Sequence, residues 1–110
     1  MPHRTAALEK LLTQGRDNAL LRFSLGTAYL ESNAVLAITH LRCALDFDPT
    51  YSAAWKALGR ALVSVQDLDG AAQAFGAGIT AATQRGDVQA AKEMTVFLKR
   101  LRRPLGPASD

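Results

Sequence analysis

Two side chains that bind metal ions strongly lie three residues apart near the middle of the sequence. His40 and Cys43 share one face of a predicted helix, and Asp46 extends the row. A tetrahedral zinc site needs four donors, and the chain has one cysteine and two histidines. A nucleophilic Cys–His pair would also need an orienting group and an oxyanion hole, which the pattern does not supply. We therefore expect a helix surface with a neutral His40 and a half-buried Cys43, no metal site and no enzyme activity.

A glycine fingerprint of dinucleotide-binding folds, GAGITA, spans residues 76–81. In those folds the fingerprint follows a strand and opens a helix, so that backbone amides hold a pyrophosphate. Residues 67–75 instead have the pattern of a helix, so the strand that should precede the fingerprint is missing. We expect no cofactor.

Basic residues cluster near the end of the chain as KRLRR at residues 99–103, and the net charge is +3. Such a cluster could attract nucleic acid or an acidic surface through long-range electrostatics. Cations in the last turn of a helix also offset its dipole. Pro104 and Gly106 are predicted to end the helix.

The length of 110 residues and the hydrophobic content of 48% predict one globular domain with a modest core. The most apolar run, residues 71–82, is too short to span a bilayer, and the first residues do not resemble a secretion signal. The single cysteine allows no internal disulfide. The composition predicts a soluble, cytoplasmic protein.

The elements that carry these residues are all helices, because apolar residues recur every three or four positions and no alternating strand pattern occurs. Breaks are predicted near residues 15–18, 31–33, 46–50, 66–70 and 83–87, which leaves about six helices. The sequence therefore predicts an all-α fold.

The chain also repeats itself, which the periodicity of single helices does not require. Leu25-Gly26 recurs as Leu58-Gly59, 33 residues later, and Ala37 recurs as Ala71, 34 residues later. The glycines cost helix propensity, about 1 kcal/mol each against alanine, so we expect neighbouring helices to approach closely at these positions.

This pattern resembles the tetratricopeptide repeat. The matching residues of the second unit are Trp55, Leu58, Gly59, Leu62, Ala71, Phe75 and Gly78; those of the first are Leu25, Gly26, Tyr29, Ala37, Leu41, Ala44 and Pro49. Arg22 and Leu62 replace the family's usual Trp and Tyr, and no proline follows Gly78 in the usual place. The resemblance implies a right-handed solenoid of helix pairs, an α-α superhelix of about six helices.

One domain over residues 1–110 is expected to contain five segments. These are an N-terminal half-repeat helix at 1–18, repeats at 19–51 and 52–85, a capping helix at 86–103 and a tail at 104–110.

The resemblance also implies a function, because tetratricopeptide proteins hold a partner's peptide or helix in a concave groove. The residues expected to line this groove are Leu20, Phe23, Thr27, Leu30, Lys56, Arg60 and Val63. We expect a non-catalytic adaptor that binds another protein, possibly an acidic one, and acts as a monomer or weak homodimer without a membrane or nucleic-acid partner. The family's carboxylate-clamping subgroup also uses asparagines in the groove; these are missing here. The alternative is a basic helical module that binds nucleic acid or an acidic surface through KRLRR.

Overall fold

The described part of the chain, residues 2–102 of a computed structural model, consists of helices joined by short loops. They are α1 (Pro2–Thr13), α2 (Ala19–Tyr29), α3 (Ala34–Phe47), α4 (Ser52–Ser64), α5 (Leu68–Arg85) and α6 (Val88–Arg102). No strand occurs within this part, and the predicted all-α fold of about six helices is confirmed. Arg103 of the basic cluster and the predicted stop at Pro104 and Gly106 lie outside the described residues.

The helix starts follow from polar caps in the sequence. Asn18, Asn33 and Asp67 each accept a hydrogen bond from the backbone N–H three residues further on, at 2.8, 3.1 and 2.9 Å. A cap of this kind satisfies one of the donors that a helix start leaves without a partner. Gly86 ends α5 with a φ of 73°, and Gln66 adopts a φ of 64° between α4 and α5.

Each helix packs against the next one along the chain from α1 to α6. In addition, α2 contacts α4 and α4 contacts α6, so these alternate helices lie side by side. The result is an elongated stack of helix pairs measuring 54 × 30 × 18 Å. Helices α2 and α4 of this row, with the C-cap residue Leu30, carry the residues that the sequence predicted for the groove.

The two repeated glycines lie where helices of a pair approach most closely. A β-carbon at Gly26 would lie 2.5 Å from Leu41 Cγ on α3, and one at Gly59 would overlap the Phe75 ring on α5. Both contacts leave no room for a side chain, as the repeat predicted. The packing gained by this approach offsets the poor helix propensity of glycine.

The last helix packs into the stack through one apolar face. Met94 is fully buried against Gly78 of α5, and Phe97 stacks on Phe75 with ring centroids 5.2 Å apart. These contacts set the rotation of α6 about its axis, and they turn Glu93 and Val96 toward α4 and the surface.

Candidate functional site

The row His40, Cys43 and Asp46 does not form a site. His40 is 5% exposed, Cys43 is half-buried and Asp46 is exposed. Our expectation that His40 lies on a helix surface was wrong, because side chains from α1 and α2 cover it. Among residues 2–102, no group of three or more His, Cys, Asp or Glu side chains could hold a metal ion.

His40 instead belongs to a polar cluster that joins three helices. Its Nδ1 accepts a hydrogen bond from Arg22 Nη1 at 3.1 Å, and Arg22 also pairs with Asp17 at 2.8 Å. The ring stacks on Tyr29, whose hydroxyl donates to Glu9 Oε2 at 2.8 Å. Sequence reasoning missed the cluster because its members come from separate elements.

The charges around His40 oppose one another. Its Nε2 lies 3.8 Å from Glu9 Oε2 and has no hydrogen-bond partner. Burial lowers the pKa of His40 below its usual 6.5, Arg22 lowers it further, and Glu9 and Asp17 partly offset the shift. The neutral imidazole is therefore the form that this environment favours.

The glycine fingerprint at residues 76–81 lies wholly within α5. Gly78 packs against Met94 and against Trp55 of α4, so its lack of a side chain serves helix packing. The strand-to-helix turn that presents amides to a pyrophosphate does not exist at this position.

The predicted groove residues on α2 occupy different surroundings. Leu20 is 65% exposed and borders a pocket between α1 and α2 together with Leu11. The Phe23 ring packs on Tyr51 with centroids 4.9 Å apart. The Thr27 hydroxyl donates to the carbonyl of Ser24, one turn earlier in α2, at 3.0 Å, so this hydroxyl already has an acceptor.

Further along the row, α2 and α4 border a common hollow. Leu30 and Arg60 line it together with Glu31 and Ser64. Val63 is exposed on the same helix as Arg60. The structure thus brings Leu30 and Arg60 together, whereas Leu20 lies at the other end of α2.

The two basic residues of α4 face a groove whose second wall is α6. This groove, which we call the α4–α6 groove, has a volume of about 320 Å³ and is lined by Lys56, Arg60, Glu93, Val96, Phe97 and Arg100. The sequence did not predict α6 as a wall of this groove, because residues 86–103 were expected to form only a capping helix. The available signal was the amphipathic pattern of α6, which leaves Glu93 and Val96 beside its buried face.

One ion pair bridges the α4–α6 groove. Lys56 Nζ donates to Glu93 Oε1 at 2.8 Å, and both side chains are about one-third exposed, at 33% and 39%. The bond from Lys56, aided by Gln89, lowers the pKa of Glu93 below its usual value. The guanidinium groups of Arg60 and Arg100 form no hydrogen bond or ion pair with any described residue, so the groove carries an excess of positive charge.

The basic end of α6 is exposed as far as the structure describes it, at Lys99, Arg100 and Arg102. None of the helices between residues 2 and 102 combines the length and the apolar character needed to cross a membrane.

The chain has relatives among known proteins, although no family model matches it. A TPR repeat-containing protein of Pseudomonas aeruginosa is 53% identical over 97 residues, which cover 87% of this chain and 92% of that protein. The solution structure of a protein from Bordetella parapertussis is 55% identical, with a TM-score of 0.78 over 88% of this chain and 85% of that one. The solution NMR structure of a tetratricopeptide repeat domain protein from Salinibacter ruber has the same fold, with a TM-score of 0.71 at 21% identity over 76% of this chain and 86% of that one.

Proposed function

The chain belongs to the tetratricopeptide repeat family, and from this premise we propose that it is a non-catalytic adaptor whose α2–α4–α6 face binds an acidic peptide or helix of another protein. Two repeats, at residues 19–51 and 52–85, supply α2 and α4, and α6 adds the last wall. The binding residues remain those expected from the sequence: Leu20, Phe23, Thr27, Leu30, Lys56, Arg60 and Val63. To these we add Val96, Phe97 and Arg100.

The observation that carries this proposal is that apolar surface in the α4–α6 groove adjoins two arginines whose side chains have no partner among the described residues. Val96 is 48% exposed, and Phe97 presents part of its ring beside it. Arg60 and Arg100 border the same apolar surface. A peptide with one apolar anchor and nearby carboxylates would fill the groove and neutralise its charge.

The ion pair between Lys56 and Glu93 gives the two cations of α4 different roles. Lys56 already has an anionic partner, so a ligand carboxylate must compete with Glu93 for it. A ligand carboxylate can bind Arg60 without displacing a described acidic residue. We therefore assign the main carboxylate contact to Arg60 and Arg100, and a steering role to Lys56.

A second function rests on the basic end of α6. Lys99 and Arg102 are exposed and form no ion pair with another residue in the described range, and they would suit phosphates or an acidic surface. Phosphate binding weakens steeply with salt, on the order of a thousandfold between 50 and 200 mM for about six contacts. Binding in the α4–α6 groove, which rests on two arginine contacts and an apolar anchor, should depend on salt less steeply.

The experiment compares two double charge reversals by surface plasmon resonance. The partner is first isolated by affinity capture on the parent protein and then produced in pure form. Arg60→Glu with Arg100→Glu should weaken binding at least tenfold, about 1.4 kcal/mol or more. The matched control, Lys99→Glu with Arg102→Glu, makes the same change in net charge outside the groove and should stay within about threefold of the parent.

The reverse ranking would assign function to the basic end of α6. If both variants keep helical circular dichroism and only the Lys99 and Arg102 variant loses binding, the groove proposal fails. A salt dependence in the parent as steep as that of about six phosphate contacts would point the same way.

A further inference from the structure

The outer side of α6, the last helix that the structure describes, borders a groove that differs from the α4–α6 groove. We call it the end groove; it lies between α5 and the outer side of α6 and has a volume of about 630 Å³. The lining residues that matter here are Ile79, Val88, Ala91, Lys92, Thr95 and Val96. Val88 and Val96 are 61% and 48% exposed, so the described residues leave much of this apolar surface uncovered.

The repeat shows which element would normally cover such a surface. Gly26, Gly59 and Thr95 are each the eighth residue of their helix, and each follows a fully buried residue. On α2 and α4 this position lies beneath Leu41 of α3 and Phe75 of α5. On α6 the same side has no helix over it within the described chain, and it forms one wall of the end groove.

The residues of α6 make this side different in shape from its counterpart on α4. Thr95 replaces the glycine, and its hydroxyl donates to the Ala91 carbonyl at 2.7 Å, so its methyl group is the part left for contact. Ala91 is the fourth residue of α6, where α4 has Trp55. At Thr95 the end groove is therefore narrower than the earlier units, which have glycine there. At Ala91 it is wider than the matching part of α4, which Trp55 fills.

This shape decides which helix can enter. A helix docked in the repeat register would place a large residue over Thr95, where the earlier units need glycine. A second copy of this chain cannot supply such contacts from Leu41 or Phe75, because both side chains are already buried against its own Gly26 and Gly59. A fitting helix must instead put a small residue over Thr95 and a large apolar residue over Ala91, one turn away.

The charges favour a partner with a carboxylate. Lys92 lines the end groove, and Lys99 lies two turns further along the same stripe of α6. The ammonium group of neither lysine forms a hydrogen bond or ion pair with a residue that the structure describes, and no described Asp or Glu lines the groove. Two copies of the chain facing each other here would bring these lysines together, which costs free energy.

We propose that the end groove is a second interaction surface that binds an amphipathic helix of a different protein. That helix carries a large apolar residue over Ala91, a small residue over Thr95 and an Asp or Glu beside Lys92. The site is independent of the α4–α6 groove, since the two share only Val96.

The test uses a library of displayed helical peptides with one randomised face. The library is selected on the full chain carrying Arg60→Glu and Arg100→Glu, which removes the preferred contacts of the α4–α6 groove. Enriched peptides should pair a large apolar residue with a small residue one turn away and carry an acid. Their binding should fall at least tenfold with Lys92→Glu and be abolished by Ala91→Trp, whereas Lys10→Glu, the same charge reversal on α1, should leave it unchanged.

Several results would overturn the proposal. The first is a failure to enrich peptides, and the second is binding that Lys92→Glu and a folded Ala91→Trp variant both leave intact. A concentration-dependent dimer in sedimentation equilibrium, lost in Ala91→Trp, would assign the end groove to a second copy. Tenfold tighter peptide binding by the full-length Leu105→Asp variant would assign it to the chain's own C-terminal residues.

Discussion

Phe75 of α5 lies directly over Gly59 of α4, so closely that a β-carbon at position 59 would overlap the edge of the ring. The first unit has the same arrangement between Leu41 and Gly26. Large and small residues alternate across each helix pair, and this alternation lets short amphipathic helices bury a continuous core.

Replacing Gly59 by alanine should lower the free energy of unfolding by about 1–3 kcal/mol, because overpacking against Phe75 outweighs the better helix propensity of alanine. Gly76→Ala is the matched control in α5, where a β-carbon would meet nothing within 4 Å. The control should gain about 0.5–1 kcal/mol. Urea denaturation measures both, and equal gains would show that Phe75 does not press on position 59.

Replacing Gln66 by glycine should stabilise the protein by about 0.5–1 kcal/mol, because the left-handed backbone at this position costs a side-chain-bearing residue free energy. Gly86→Ala makes the opposite change at a φ of 73° in open space, so it should destabilise by about 1 kcal/mol. The midpoint temperature of thermal unfolding should therefore rise in Gln66→Gly and fall in Gly86→Ala.

The stability of the protein should fall as the pH drops below about 6.5, because the unfolded chain binds a proton at His40 more readily than the folded one does. Burial and Arg22 hold the pKa of His40 down in the folded state, and Glu9 and Asp17 oppose them only in part. The stabilisation is therefore present above pH 6.5 and is lost as the pH falls toward the folded pKa. Urea denaturation between pH 7.5 and 5 measures this slope.

The chain has two histidines, so the experiment is made in a His3→Gln background. Adding His40→Gln should remove the slope between pH 7.5 and 5. Carboxylates with lowered pKa values, such as Asp17 and Glu93, become protonated in the unfolded chain only near pH 3.8 and 4.5. Their effect on stability is therefore expected at lower pH. An unchanged slope after His40→Gln would contradict the assignment.

Replacing Glu93 by glutamine should change the free energy of unfolding by less than about 1 kcal/mol, because the pair with Lys56 is partly exposed to solvent and screened. The same change frees the Lys56 cation and should tighten binding of the acidic partner severalfold. Gln89→Leu is the control that removes only the neighbouring hydrogen bond. Affinity that falls in Glu93→Gln would mean that the ligand does not compete with Glu93 for Lys56.

The number and approximate limits of the helices followed from the sequence because they depend on local interactions. Caps such as Asn33 and Asp67 and breaks such as Gly86 act within one helical turn. The close approach of helices at Gly59 also followed from the sequence, because the repeat has a glycine at the same position in both units. The structure shows that Phe75 is the residue that packs there.

The groove walls and the His40 cluster depended on how distant helices are placed, and only the tertiary structure decided them. Helix α5 has 18 residues and α3 has 14, so the repeat interval changes before α6 and its rotation could not be carried over from α4. The packing of Met94 on Gly78 sets that rotation, and it brings Glu93 to Lys56, 37 residues away. Periodicity shows which face of a helix is apolar, but the neighbour that each polar side chain meets depends on side-chain packing between elements.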